Sequence, residues 1–446
     1  MSDTRPDATR MKPTVPSTDL LFISSAASGQ IEGSAAQELV LALQHAGTRA
    51  ELVCAGVSPK VSGVSALRPM EWITAAPSAR CYVAVTPDAA LYARGAATFG
   101  KERSAVCGIA LDTSAGDRNL WAFLPNLAVA SASERAATGM GEEQIVSILP
   151  IGVGTEFFTA RALRGEHSGL RVICVTDEAH FVSAEDLRAG IEGSRDGVSV
   201  SIVINGVPAP AYQTPRTRDV TYSPTSREWR AMLGGADVVV VLGSIDVHLT
   251  LRILAAGCGA VLPDLPTLRD YVGPDCASWV PADDDHRAAQ ATLQLLDDSV
   301  LRENLQRRGS QSAKPFEWKL LVESYRSYFE SCVLEPESRS VREQELLRYF
   351  LLSRETELRM LTAIEKMEQE VGGELAPRAI PELFRGEADG DFLQKLRTSP
   401  WRRLLSMYEA ARRAALQAHG EGDAELVKHS ADSLFERVTR TISVRH

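Results

Sequence analysis

The chain contains no run of about 18 apolar residues, so none of its helices is expected to span a membrane. It has no CxxC pair and no Cys/His spacing of the kind that holds zinc. Its seven cysteines, Cys54, Cys81, Cys107, Cys174, Cys258, Cys276 and Cys332, are odd in number, scattered, and mostly set in apolar segments. That pattern argues against a disulfide framework and for reduced core thiols in a cytoplasmic protein. Positive charge is also short: 48 Lys and Arg against 58 Asp and Glu leave a formal charge of -10. Nucleic acid requires a basic surface, so it is excluded as a general partner. The first 18 residues lack an apolar core and carry acids and prolines. They read as a disordered tail rather than a signal peptide.

What is present is alternation. At 446 residues the chain exceeds one ordinary core, and two or three domains are expected. The segment "DLLFISSAASGQIEGSAAQELVLALQHAGTRAELVCAG" reads as an apolar strand, a Ser/Gly loop, a helix ended by Gly47, and a strand from Ala50 to Cys54. "CYVAVTP", "SAVCGIAL" and "NLAVASASERAA" continue the pattern, and "QIVSILPIGVGTEFF" closes it. A second series runs through strand "LRVICVTD", helix "SAEDLRAGIEG", strand "VSVSIVING" and helix "SREWRAMLGGA", with Ser226 as its N-cap. One long helix, "DHRAAQATLQLLDDSVLRENLQRRG", follows later. Two such series predict two doubly wound α/β domains facing a cleft. The expected divisions are a tail over 1–18, one Rossmann-like domain over 19–150, a second over 151–333, and a helical extension over 334–446.

Within the second series, "ADVVVVLGSIDVHLTLRILAAGCGAVLPDLPTLRDYVG" carries the strongest local signal. Val238 to Val241 form a buried parallel strand, Gly243 and Ser244 a sharp turn, and a helix runs from about Asp246 until Gly257 and Gly259 stop it. Strand, tight turn and helix is the form of a phosphate-binding or sugar-binding corner in an open sheet. Two readings are open for Arg252: contact with a phosphate, or a cation favoured by the helix C-terminus. His248, one turn into the helix, either donates to a phosphate or sugar hydroxyl or is a plain surface residue. Asp246 reads first as the N-cap, with Ser244 its competitor, and second as a sugar ligand.

Beyond about Leu334 the chain turns to charged helix. In "SVREQELLRYFLLSRETELRMLTAIEKMEQEV", Leu346, Phe350, Met360, Ile364, Met367 and Val371 share one face, which Ser353 and Glu357 interrupt. A module for self-association or partner binding fits that pattern. "QKLRTSPWRRLLSMYEAARRAA" interleaves basic residues with Trp401, Leu404 and Leu405. It either lies on an anionic membrane surface or packs its apolar side with the arginines solvated.

The order of these segments resembles the GT-B glycosyltransferases, above all family 4 of the retaining enzymes, from about Asp19 to Glu330. "SILPIGVGTEFF" looks like that family's "IPNGVD..F", and "ADVVVVLGS" like its "ADVFVLPS". "LAAGCGAVLPDLPTLRDYVGPDCASWVPADD" follows its "AMACGCPVVATDVGGLPELV...GLLVPPGD". "LLDDSVLRENLQRRGSQSAKPFEW" matches its "LLDDPELRERLGEAGRERA..FSW", including Phe316 and Trp318. The resemblance implies a GT-B fold, a nucleotide-sugar substrate held mainly by the second domain, no metal or other cofactor, and a glycan, protein or lipid-linked acceptor.

The resemblance also locates departures. Where the family has an Arg and a Lys after the first strand of its second domain, this chain has Asp177 and about Val182. The family's E-x7-E pair falls at about Ser244 and Arg252, with Asp246 as a stand-in for the first. Only His45 is available to match its first-domain histidine. The implied donor-site candidates are therefore Ser28, Gly29, Ser244, Asp246, His248 and Arg252, with no assignable catalytic residue. Two activities follow: sugar transfer, or a catalytically inactive glycosyltransferase-like subunit that binds a protein acceptor or an active partner enzyme.

Overall fold

The computed structural model describes residues 18–24, 34–55, 65–67, 76–99, 104–111, 121, 124–137, 145–163, 169–177, 179–204, 220–222, 224–243 and 245–334. Residues 1–17 of the expected tail, Ser28, Gly29, Ser244 and residues 335–446 of the helical extension, with its oligomer and membrane readings, lie outside these residues, whereas Thr18 opens the first strand and Leu334 closes the last helix.

Two parallel sheets result. The first contains β1 (Thr18–Ser24), β2 (Ala50–Ala55), β3 (Ser65–Leu67), β4 (Ala79–Ala84), β5 (Ala105–Ala110), β6 (Asn126–Val129) and β7 (Ile145–Ile148). Their order is β3-β2-β1-β4-β5-β6-β7. Between them run α1 (Ala35–His45), α2 (Pro87–Phe99) and α3 (Ala132–Ala137). After α4 (Thr155–Phe158), the second sheet takes β8 (Leu170–Thr176), β9 (Val198–Ile204), β10 (Val220–Tyr222), β11 (Val238–Leu242), β12 (Gly259–Pro263) and β13 (Ser278–Val280). These are ordered β10-β9-β8-β11-β12-β13. The helices of this half are α5 (Phe181–Ser194), α6 (Ser226–Gly235), α7 (Val247–Ala255), α8 (Pro266–Arg269), α9 (Asp285–Asp297) and α10 (Ser299–Ala313), and α11 (Trp318–Leu334) comes last.

The local chemistry explains the elements. Every residue of β11 is buried, as a strand covered by helices on both faces must be. α7 starts where the Asp246 carboxylate accepts from Leu249 N at 2.6 Å, and it stops where Gly257 takes φ +73. α6 is capped by Thr225 rather than Ser226, because Thr225 and Glu228 satisfy each other's backbone N–H groups in a capping box. The single long helix expected after Asp285 is two: Asp298 accepts from Leu301 N at 2.8 Å and restarts the chain as α10.

The two sheets share one hydrophobic core that passes through Ile151, Val153, Phe157, Trp318 and Tyr325. Two strands of chain cross between the domains there, joined where Val153 N donates to Phe316 O (2.8 Å) and Trp318 N to Val153 O (3.1 Å). After the second crossing, α11 lies on the first sheet rather than the second. Tyr328 OH donates to Gly108 O at 3.1 Å, and the Phe329 ring meets Phe22 edge-on with centroids 5.6 Å apart. Residues 318–333, assigned by sequence to the second domain, thus pack on the first.

Candidate functional site

The strand order of each sheet reverses direction once, between β1 and β4 and between β8 and β11. Such switch points leave a crevice beyond the carboxyl ends of the strands, where open α/β sheets bind ligands. In the second sheet, Leu242 pairs with Thr176, so the ends of β11 and β8 lie side by side. Gly243 then turns with φ +84, which a side chain would strain, and a Cβ there would enter the Asp177 carboxylate. Asp177 Oδ1 also accepts from His180 N at 3.1 Å and holds His180 Nδ1 at 2.8 Å. α7 leaves the same corner with the N–H groups of Val247 and His248 in its first turn.

That corner faces the first domain through one buried carboxylate. Glu38 of α1 is 7% exposed. Its Oε2 lies 3.0 Å from His248 Nε2 and accepts from Trp318 Nε1 (3.0 Å) and Gly154 N (3.1 Å), while Oε1 accepts from Arg252. Arg252 is 4% exposed, lies over the Phe157 ring at 4.7 Å, and reaches Ser226 Oγ at 3.2 Å. Burial alone would raise the Glu38 pKa. The charges and hydrogen bonds of His248 and Arg252 outweigh it and bring the group from 4.5 down to about 2. Glu38 is therefore ionised at neutral pH and joins α1, α7 and both crossing segments. A second seam lies nearby, where Tyr271 OH donates to Ala130 O (2.6 Å) and accepts from Ile151 N (2.8 Å).

The structure thus brings Asp246, His248 and Arg252 to the domain boundary but gives them definite tasks. Asp246 caps α7. His248 is buried against Glu38, not on the helix surface, and Arg252 is buried and paired rather than solvated at a helix end. The acid that Arg252 lacks in the sequence comes from the other domain. Sequence reasoning missed Glu38. Its signal was present: an acid on α1 among Ala35, Leu39 and Leu43, where helical spacing places the core. Asp177 was read as a departure, whereas its pairing with His180 was not foreseen. Val182 projects into solvent, 68% exposed. His45 ends α1, as its place in the sequence implied.

Two doubly wound domains facing each other, with the last helix crossing back to the first, are the GT-B architecture, and this chain has the GT-B fold. Solved structures of that fold agree. Sucrose-phosphate synthase from Thermosynechococcus elongatus matches at 14% identity and TM-score 0.54, over 70% of this chain and 100% of that one. HepE of Anabaena, solved with UDP and glucose, matches at 11% identity and TM-score 0.54, over 70% and 100%. The pneumococcal O-GlcNAc transferase GtfA, solved with UDP and GlcNAc, matches at 7% identity and TM-score 0.53, over 71% and 100%. No family model and no curated protein matches the sequence. No helix among the described residues is long and apolar enough to cross a membrane.

Proposed function

We propose that the chain is a glycosyltransferase that holds a nucleotide-sugar between its domains at the β8/β11 switch point and passes the sugar to a hydroxyl of a glycan, protein or lipid-linked acceptor. The reading rests on one observation above the others: the strand ends of the second sheet and the start of α7 meet the first domain through His248 and Glu38. HepE and GtfA, of the same fold, were solved with UDP and a sugar. The departing nucleoside diphosphate needs preorganised donors, and in this reading the N–H groups of Val247 and His248, with Ser244, Ser28 and Gly29, supply them without a metal ion. The test is release of free nucleotide from UDP-, GDP-, CMP- and dTDP-sugars by the intact chain, alongside the melting shift each donor causes. A donor that raises the melting temperature and is consumed supports transfer; four donors without effect on either count against it.

A second reading, a catalytically inactive subunit that binds a protein acceptor or an active enzyme, is favoured by a separate observation. Arg252 and His248 are taken up by Glu38, and an acid, Asp177, stands at the corner where a diphosphate would approach. Here the clamp lacks about two charge-assisted contacts, each worth roughly 1.5–3 kcal/mol. Asp177→Arg with Val182→Lys restores positive charge and should then raise nucleotide affinity at least tenfold in calorimetry. A wild-type chain that already binds as tightly as this variant would remove the reading.

A further inference from the structure

The Asp177–His180 pair lies at the β8/β11 switch point, beside the Gly243 turn. Its geometry is that of an oriented imidazole. A carboxylate holding Nδ1 requires that nitrogen to carry a proton, which leaves Nε2 as the atom free to meet a ligand. Among the described residues Nε2 has no hydrogen-bond partner, and a quarter of the side chain is exposed. The ring packs on the Gly243 turn so closely that a Cβ there would lie 2.6 Å from Nδ1. His180 also precedes the first turn of α5, which carries no acid.

The charges around the ring decide what it can hold. Asp177 at the end of β8, Asp283 before α9 and Asp285 at its start all act on His180. The hydrogen bond that His180 donates to Asp177 raises the His180 pKa above 6.5, burial opposes it, and the charges of Asp177, Asp285 and Asp283 add to the rise. With the ring neutral, an anion would meet a lone pair and three carboxylates. With the ring protonated, the same anion would meet a fixed N–H donor of positive charge.

We propose that His180, oriented by Asp177 through Nδ1, donates from Nε2 to a phosphate oxygen of the nucleotide-sugar and makes donor binding weaken as pH rises. This rests on the donor-site reading above. The sign follows from the raised pKa: the protonated form is complete below the ordinary histidine range and is lost as pH passes upward through the folded value.

Calorimetric titration of the intact chain with UDP-glucose, and in parallel with GDP-mannose, tests it at about pH 6 and pH 8.5, a window in which neither diphosphate titrates. Wild type should bind about tenfold or more tightly at the lower pH. His180→Gln should bind weakly at both, and His180→Lys should bind tightly at both. A folded His180→Gln with wild-type affinity and pH profile would overturn this inference alone. So would a wild type that binds equally at both pH values. If neither wild type nor His180→Lys binds either donor at either pH, the donor-site reading falls together with it.

Discussion

Replacing Glu38 by glutamine keeps the shape of the side chain and removes the charge that Arg252 and His248 share. Four donors converge on this carboxylate, so a neutral amide in its place would leave a guanidinium buried without its counter-ion. Breaking one partner of a buried pair costs about 3–5 kcal/mol. A second route gives a similar size. A carboxyl held at about 2 in the fold, against 4.5 for the ordinary group, contributes about 3 kcal/mol at neutral pH. Because the folded pKa is depressed, that contribution is complete above 4.5 and is lost as pH falls towards 2. Glu38→Gln should therefore lower the melting temperature by roughly 5–10 °C at neutral pH and flatten the acid limb of the stability profile. The double variant Glu38→Leu with Arg252→Met removes both charges and should recover much of the loss, since apolar replacements of a buried pair are often neutral. Scanning calorimetry of wild type, Glu38→Leu, Arg252→Met and the double variant gives the coupling directly. A loss below about 1 kcal/mol in Glu38→Gln, with an unchanged acid limb, would refute the assignment of Glu38 as the joint between the domains.

Two further predictions concern the crossing segments. Gly152→Ala would push a methyl group into the Trp318 indole and should cost about 1–3 kcal/mol, read as a lower denaturant midpoint, whereas Gly190→Ala, on an open face of α5, should not. Tyr271→Phe removes a hydroxyl that both donates to Ala130 O and accepts from Ile151 N. It should cost about 1–3 kcal/mol and raise hydrogen exchange at Ile151.

The fold was legible because its signals are local and repeated. The Val238–Val241 run, the Asp246 cap and the Gly257 stop lie within one short stretch, and each acts on its neighbours in the chain. The core of the site was not legible for the opposite reason. Arg252 and Glu38 are 214 positions apart, and nothing near Arg252 indicates that its counter-ion comes from the other domain. The same holds for α11, which follows directly on helices of the second domain but buries Tyr328 and Phe329 on the first. The Asp177–His180 pair is local, three residues apart, yet its meaning depends on Gly243 from another strand. Periodicity reveals which face of an element is buried, not which distant charge that face will meet.

Hydrogen exchange of the intact chain, measured with UDP-, GDP-, CMP- and dTDP-sugars in turn, addresses the site most directly. Residues 176–184 and 242–252 are distant in sequence, and Thr176 pairs with Leu242 at the β8/β11 switch point. One of the four donors should slow exchange in both segments together, with α9 and α10 unchanged. Unaltered exchange in both segments under saturating amounts of all four would contradict a nucleotide-sugar site between the domains.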